Sequence, residues 1–203
     1  MKKIWWALVA IAVVVSSAAG LYYAHTPTSK EECVPSGGEE YWLNNYTPAH
    51  SLGYEEEDWW VTYPKMHPNY SEPVEHPDWI IEHLHHHPML ILVHTTTCSY
   101  CSIQEEHISA VLPQYRDNIT YIDILADTQD GYERGQDVFV AYDPNDGAHY
   151  VPLTVYITLC EANGKVFVAW HGIEGVTSEE WIESHIEDAI YYFEKNNNSW
   201  EGH

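Results

Sequence analysis

Between Pro88 and Thr95 the chain reads Met89-Leu90-Ile91-Leu92-Val93-His94, a nearly continuous apolar run with no alternation. Such a segment suits a strand buried on both faces, because a half-exposed strand would show polar residues at every second position. A doubly buried strand needs covering layers on both sides of its sheet. The neighbouring patterns supply them. Helical periodicity is expected over residues 78–86, 98–112, 132–141 and 178–194, and strands over 59–63, 119–125, 153–160 and 165–170. Glu161-Ala162-Asn163-Gly164 reads as a hairpin turn between the last two strands. Thr177 is expected to cap the last helix, with Glu180 three residues on and Trp181, Ile182, Ile186, Ile190 and Tyr191 as its buried stripe. In the helix at 98–112, Ile103, Ile108, Val111 and Leu112 are expected on one side. The order is β-α-β-α-β-α-β-β-α, an α/β chain with a mixed central sheet and helices on both faces.

Charge narrows the partners. The 203 residues carry 8 Lys+Arg against 31 Asp+Glu, a formal charge of −23. No positive field is available to replace phosphate counterions, so nucleic acid is excluded as a partner class. Adhesion to an anionic lipid surface by charge is disfavoured in the same way. Partners are expected to be neutral or basic.

Lys2-Lys3 precede an uncharged stretch at residues 4–24, long enough as a helix to cross a bilayer. Two readings stand side by side. One is an uncleaved signal anchor, with Tyr22 and Tyr23 at the lipid boundary; the other is a signal peptide cleaved after Ser17-Ala18-Ala19. Both place the acidic remainder outside the cytoplasm, membrane-tethered or secreted. The expected organisation is a signal segment at 1–25, an acidic, aromatic-containing tether at 26–57, a folded domain at 58–196 and a tail at 197–203.

Cys98-Ser99-Tyr100-Cys101 stands where the buried strand gives way to a helix. Unpaired backbone N–H groups and the helix dipole favour an anion there, so a thiol pKa falls from about 8.5 toward ~3.5–7.5. The first cysteine then attacks, and the second, one turn inside, resolves the mixed disulfide. Half of a structural zinc site has the same spacing, but it needs two further ligands. There is no second CxxC, and Cys33 and Cys160 are isolated.

Val151-Pro152-Leu153-Thr154 opens the strand that follows the third helix. With the strand–CxxC–helix unit it resembles the thioredoxin superfamily, over residues from about 59 to 195. The resemblance implies a thioredoxin-like fold and a protein thiol–disulfide oxidoreductase. Cys98 and Cys101 would form the catalytic dithiol, with no further cofactor. Pro152 would be cis and face the cysteines, and the Val151 backbone would pair with an extended substrate strand. Partners would be protein thiols or disulfides and a membrane or soluble redox protein. An ordinary strand-start proline is the plainer reading of Pro152. Four departures bear on tuning. Thr97 stands where the family usually has an aromatic residue. Leu92 falls where thioredoxin has a buried acid, and Glu105 is either a replacement or a solvated residue. His94 either approaches the thiols or is structural. Ser99-Tyr100 is nearer the dipeptide of glutaredoxins, yet the basic residues that glutathione binding would want are lacking. The direction of electron flow stays open.

The rival signal is His83, His85, His86 and His87. His83 and His87, spaced i, i+4, could share one face as metal ligands. The alternative function is therefore a copper-binding or delivery protein of thioredoxin-like fold, with Cys98, Cys101, His83 and His87 as ligands; a redox-inactive adaptor is a third reading. Cys160 lies eight residues beyond Pro152, about 26 Å along an extended strand, too far to resolve a disulfide at Cys98. It is expected either to pair with Cys33 or to remain a free or intermolecular thiol.

Overall fold

The computed structural model describes residues 43–202. Its elements are α1 (Asp78–Leu84), β1 (Met89–His94), α2 (Ser99–Val111), β2 (Thr120–Leu125), α3 (Tyr132–Tyr142), β3 (Leu153–Ala162), β4 (Lys165–Glu174) and α4 (Glu179–Asn196). The sheet order is β2-β1-β3-β4. β1 runs parallel to β2, from Met89↔Thr120 to His94↔Leu125, and antiparallel to β3, from Met89↔Ile157 to Val93↔Leu153. β3 and β4 form an antiparallel hairpin.

The strict two-residue period of β1 divides the core into two layers. Met89, Ile91 and Val93 pack with Ile80 and Leu84 of α1 and with Val138, Phe139 and Tyr142 of α3. Leu90 and Leu92 pack on the other face with Ile108 and Val111 of α2 and with Ile182, Ile186 and Ile190 of α4. All six β1 residues are buried, so the strand without a polar face has no solvent face. The turn between β3 and β4 is tighter than expected. The strands run to Ala162 and from Lys165, which leaves Asn163 (φ 53°) and Gly164 (φ 77°) as a two-residue connection. Both residues take the left-handed conformation that matches the twist of a hairpin, and an Asn-Gly pair tolerates it best.

Three expectations are corrected. Residues 59–63 do not form a sheet strand: Trp59 bridges to Leu52, Trp60 to Trp170 and Thr62 to Pro73, so successive residues find different partners and no ladder propagates. The cap of α4 is Ser178, whose Oγ accepts from Trp181 N at 3.2 Å, rather than Thr177, which is held elsewhere. Finally, the stretch expected as a tether is packed from residue 43 onward. The Asp188 carboxylate on α4, fully buried, accepts from Tyr46 Oη (2.7 Å), Ala49 N (2.9 Å), His50 N (2.8 Å) and His50 Nδ1 (2.8 Å). A buried carboxylate is tolerated only with such donors, and the segment before Trp59 supplies them. Leu43 and Leu52 pack against the layer formed by α2 and α4. Among the described residues, no helix is long and apolar enough to cross a membrane. The stretch at residues 4–24 and Cys33 lie outside the described residues.

Candidate active site

β1 ends at His94, and three threonines carry the chain to the first turn of α2. That short loop is pinned from the far side. The Asp127 carboxylate, just after β2, accepts from Thr96 N at 3.1 and 3.0 Å and from the Thr96 hydroxyl. These hydrogen bonds hold the Asp127 carboxyl below its usual range. His94 Nε2 is paired with Asp123 on β2. Thr97, Ser99 and Tyr100 are exposed, Tyr100 to 67%.

Cys98 is the N-cap of α2, and its own sulfur takes the capping position: Cys101 N donates to Cys98 Sγ at 3.1 Å. A donor that would otherwise be unpaired at the helix start is therefore aimed at this sulfur. Cys98 is half-buried, while Cys101 is 1% exposed. The two are joined as a disulfide, with Cα atoms 5.2 Å apart. Cys98 Sγ lies 3.7 Å from the Val151 carbonyl oxygen. The Val151–Pro152 peptide bond is cis. Pro152 O accepts from Gly175 N at 2.8 Å, which fixes the start of β3 to the loop after β4.

A central strand β1, a parallel β2, an antiparallel β3–β4 hairpin, a CxxC at the start of the helix after β1 and a cis proline facing it just before β3 together define the architecture. The fold is thioredoxin-like. Comparison with solved structures returns oxidised mitochondrial thioredoxin 3 from Saccharomyces cerevisiae at 15% identity, covering 55% of this chain and 87% of that one, with a TM-score of 0.37. It also returns oxidised thioredoxin O2 from Arabidopsis thaliana (17% identity, 50% and 74% covered, TM-score 0.35). A third is MTB DsbF in mixed oxidised and reduced forms (13% identity, 56% and 98% covered, TM-score 0.34). No protein-family model and no curated protein matches the chain.

Within the thioredoxin-like site the structure brings Cys98, Cys101, Val151 and Pro152 together. It does not bring the histidines to them. His83 lies on α1, on the opposite face of the sheet from α2, where its ring meets Trp79. His87 lies beyond the end of α1. The ligand set Cys98, Cys101, His83 and His87 is thus split by the sheet. Among the described residues, no three His, Cys, Asp or Glu side chains are placed to hold a metal ion. Cys160 is a buried free thiol, and burial first, then the Asp188 charge, pushes its pKa well up. It lies toward the far end of β3, opposite Phe167 on β4, whereas Pro152 precedes the first residue of that strand.

Leu92 is apolar and buried, and Glu105 is exposed. The polar group inside is Gln104, fully buried on α2. Ile103, expected on the buried side, is 41% exposed. The true inner stripe is Cys101, Gln104, Ile108 and Val111. That is an i, i+3, i+7, i+10 row, so helical spacing from Cys101 could have found Gln104.

Proposed function

We propose that this chain is a thiol–disulfide oxidoreductase that works outside the cytoplasm on protein substrates, without any cofactor beyond its own dithiol. The observation that carries the reading is the setting of one sulfur. Cys98 is half-buried, its Sγ receives the Cys101 amide at 3.1 Å, and the same sulfur lies 3.7 Å from the Val151 carbonyl oxygen. In the reduced protein, the Cys98 thiolate attacks one sulfur of a substrate disulfide. That bond breaks, a Cys98–substrate disulfide forms, and the released substrate thiolate takes up a proton. Cys101 then loses its proton and displaces the second substrate sulfur, which closes Cys98–Cys101 and leaves a substrate dithiol. The reverse sequence oxidises a substrate dithiol. The Val151 backbone beside the cysteine offers an extended polypeptide a hydrogen-bonding edge. Lys2-Lys3 and the uncharged stretch at residues 4–24 support export and tethering to the membrane.

The formal charge of −23 supports substrates with basic flanks. Two disulfide-bonded peptides that differ only in Lys or Glu beside the cysteines test both the reaction and this preference. The reduced protein is expected to cleave the Lys peptide roughly tenfold faster at low salt, with the gap closing near 1 M salt. Cleavage of neither peptide contradicts the function; equal rates contradict only the substrate charge. Equilibration with glutathione fixes the direction, since a potential near about −270 mV marks a reductant and one near about −120 mV an oxidant.

A further inference from the structure

Gln104 interrupts the apolar inner stripe of α2 one turn after Cys101. An amide costs free energy in such a place unless its donors and acceptor are satisfied. Here they are, and entirely by distant segments. Gln104 Nε2 donates to Thr154 Oγ1 (3.1 Å) and to Thr177 Oγ1 (3.0 Å), and Oε1 accepts from Thr177 N (2.8 Å). One helical turn on, His107 Nδ1 meets the Thr177 carbonyl at 2.7 Å. Thr154 is two residues beyond Pro152 on β3. Thr177 is two residues beyond Gly175, whose N–H is bonded to Pro152 O at 2.8 Å. The contacts close a ring: α2 to β3, β3 through Pro152 to the loop after β4, and that loop back to α2.

We propose that Gln104 is the positioning residue that sets the spacing between the cysteine-bearing helix and the Val151–Pro152 wall, and so the fit of an extended polypeptide substrate. This deepens the exchange function above and rests on it. The capping contact that stabilises the sulfur lies wholly within the first turn of α2, from Cys101 N to Cys98 Sγ. The placement of Val151 and Pro152 against the start of α2 depends on the ring. Gln104 therefore acts on substrate docking and not on the thiol itself. A small disulfide needs only the sulfur, whereas a polypeptide needs both walls in register, and slight misplacement of bound partners is costly in rate.

The test is Gln104→Leu, which keeps apolar bulk and removes the amide, together with Thr154→Val, which removes only the hydroxyl that Gln104 grips. Each variant is assayed with the Lys-flanked peptide disulfide and with 2-hydroxyethyl disulfide, and the pH midpoint of Cys98 alkylation is recorded. The expected result for Gln104→Leu is an about tenfold drop in the peptide-to-small-disulfide rate ratio, carried mainly by KM, with the alkylation midpoint at its wild-type value. Thr154→Val shows a smaller drop of the same kind and carries the test if Gln104→Leu does not fold. An unchanged ratio in the folded variants, or a shifted alkylation midpoint, overturns the proposal while the exchange function stands. If the wild-type protein reacts with neither disulfide, the exchange function itself fails.

Discussion

Cys98→Ser is expected to reduce exchange to the uncatalysed background, whereas Cys101→Ser should still attack and then stop at a stable mixed disulfide. The asymmetry follows from exposure and from the cap. Cys101 is 1% exposed, so a substrate sulfur cannot line up behind it for displacement. Cys98 is half-buried at the start of α2, and the backbone N–H of Cys101 favours its anion. A serine hydroxyl in that place stays protonated and does not cleave disulfides. With Cys101 replaced, the first bond still forms, but no thiol lies beneath to release it. Mass spectrometry of each variant after mixing with a peptide disulfide distinguishes the outcomes. A one-to-one adduct on Cys101→Ser and none on Cys98→Ser supports the assignment. The opposite pattern would exchange the two roles.

Acid is expected to unfold the protein well before its carboxylates titrate. His171 and His185 are buried and His76 is half-buried, and burial favours the neutral form of each. Burial holds His171 and His76 down at about 4, and burial followed by the neighbouring His171 and His50 holds His185 at about 2, against an ordinary 6.5. His171 bonds the Asp58 carbonyl at 2.9 Å and stacks on Trp60 at 4.5 Å. His185 stacks between Trp181 (3.7 Å) and His50 (3.9 Å), and its Nδ1 meets the Trp181 carbonyl at 3.0 Å. His76 Nδ1 lies 2.8 Å from Tyr142 Oη. The sign follows from which state binds the proton. Below pH 6.5 the unfolded chain takes up protons that these folded imidazoles refuse, so the stability present at pH 7 is lost as pH falls toward their folded values. A depression from 6.5 to about 4 corresponds to about 3 kcal/mol per group, against a total of roughly 5–15 kcal/mol for a domain. Glu174 and Glu187, raised first by burial, act in the opposite sense but are partly exposed and weaker. Urea midpoints at pH 7, 5.5 and 4.5 should fall steeply, and His171→Phe should flatten the slope. A midpoint that stays level from pH 7 to 4.5 contradicts the assignment of neutral buried histidines.

The parts of the fold written in local pattern were legible in the sequence. The apolar run of β1, a hairpin turn within residues 161–164, the CxxC at a strand–helix junction and Pro152 ahead of β3 each express their physics within a few residues. The missed features are those whose partners are far away in sequence. Asp188 reads as one more acid on an amphipathic helix until Tyr46, Ala49 and His50 are seen to converge on it from 138–142 residues away. Thr177 reads as a helix cap because it is a threonine beside a helix, yet Gln104, 73 residues earlier, claims its amide and hydroxyl, and Ser178 caps instead. Residues 59–63 have strand composition but no common partner strand. Propensity could not show that.

Exchange at this site depends on the ionisation of a single thiol, and titrating its alkylation measures that directly. The reduced protein is reacted with iodoacetamide across pH 4–10, and modification of Cys98 is followed by mass spectrometry. The amide of Cys101 and the helix terminus predict a midpoint well below the free-cysteine value of about 8.5, in the range ~3.5–7.5. A midpoint at or above about 8.5 would contradict the account at its centre.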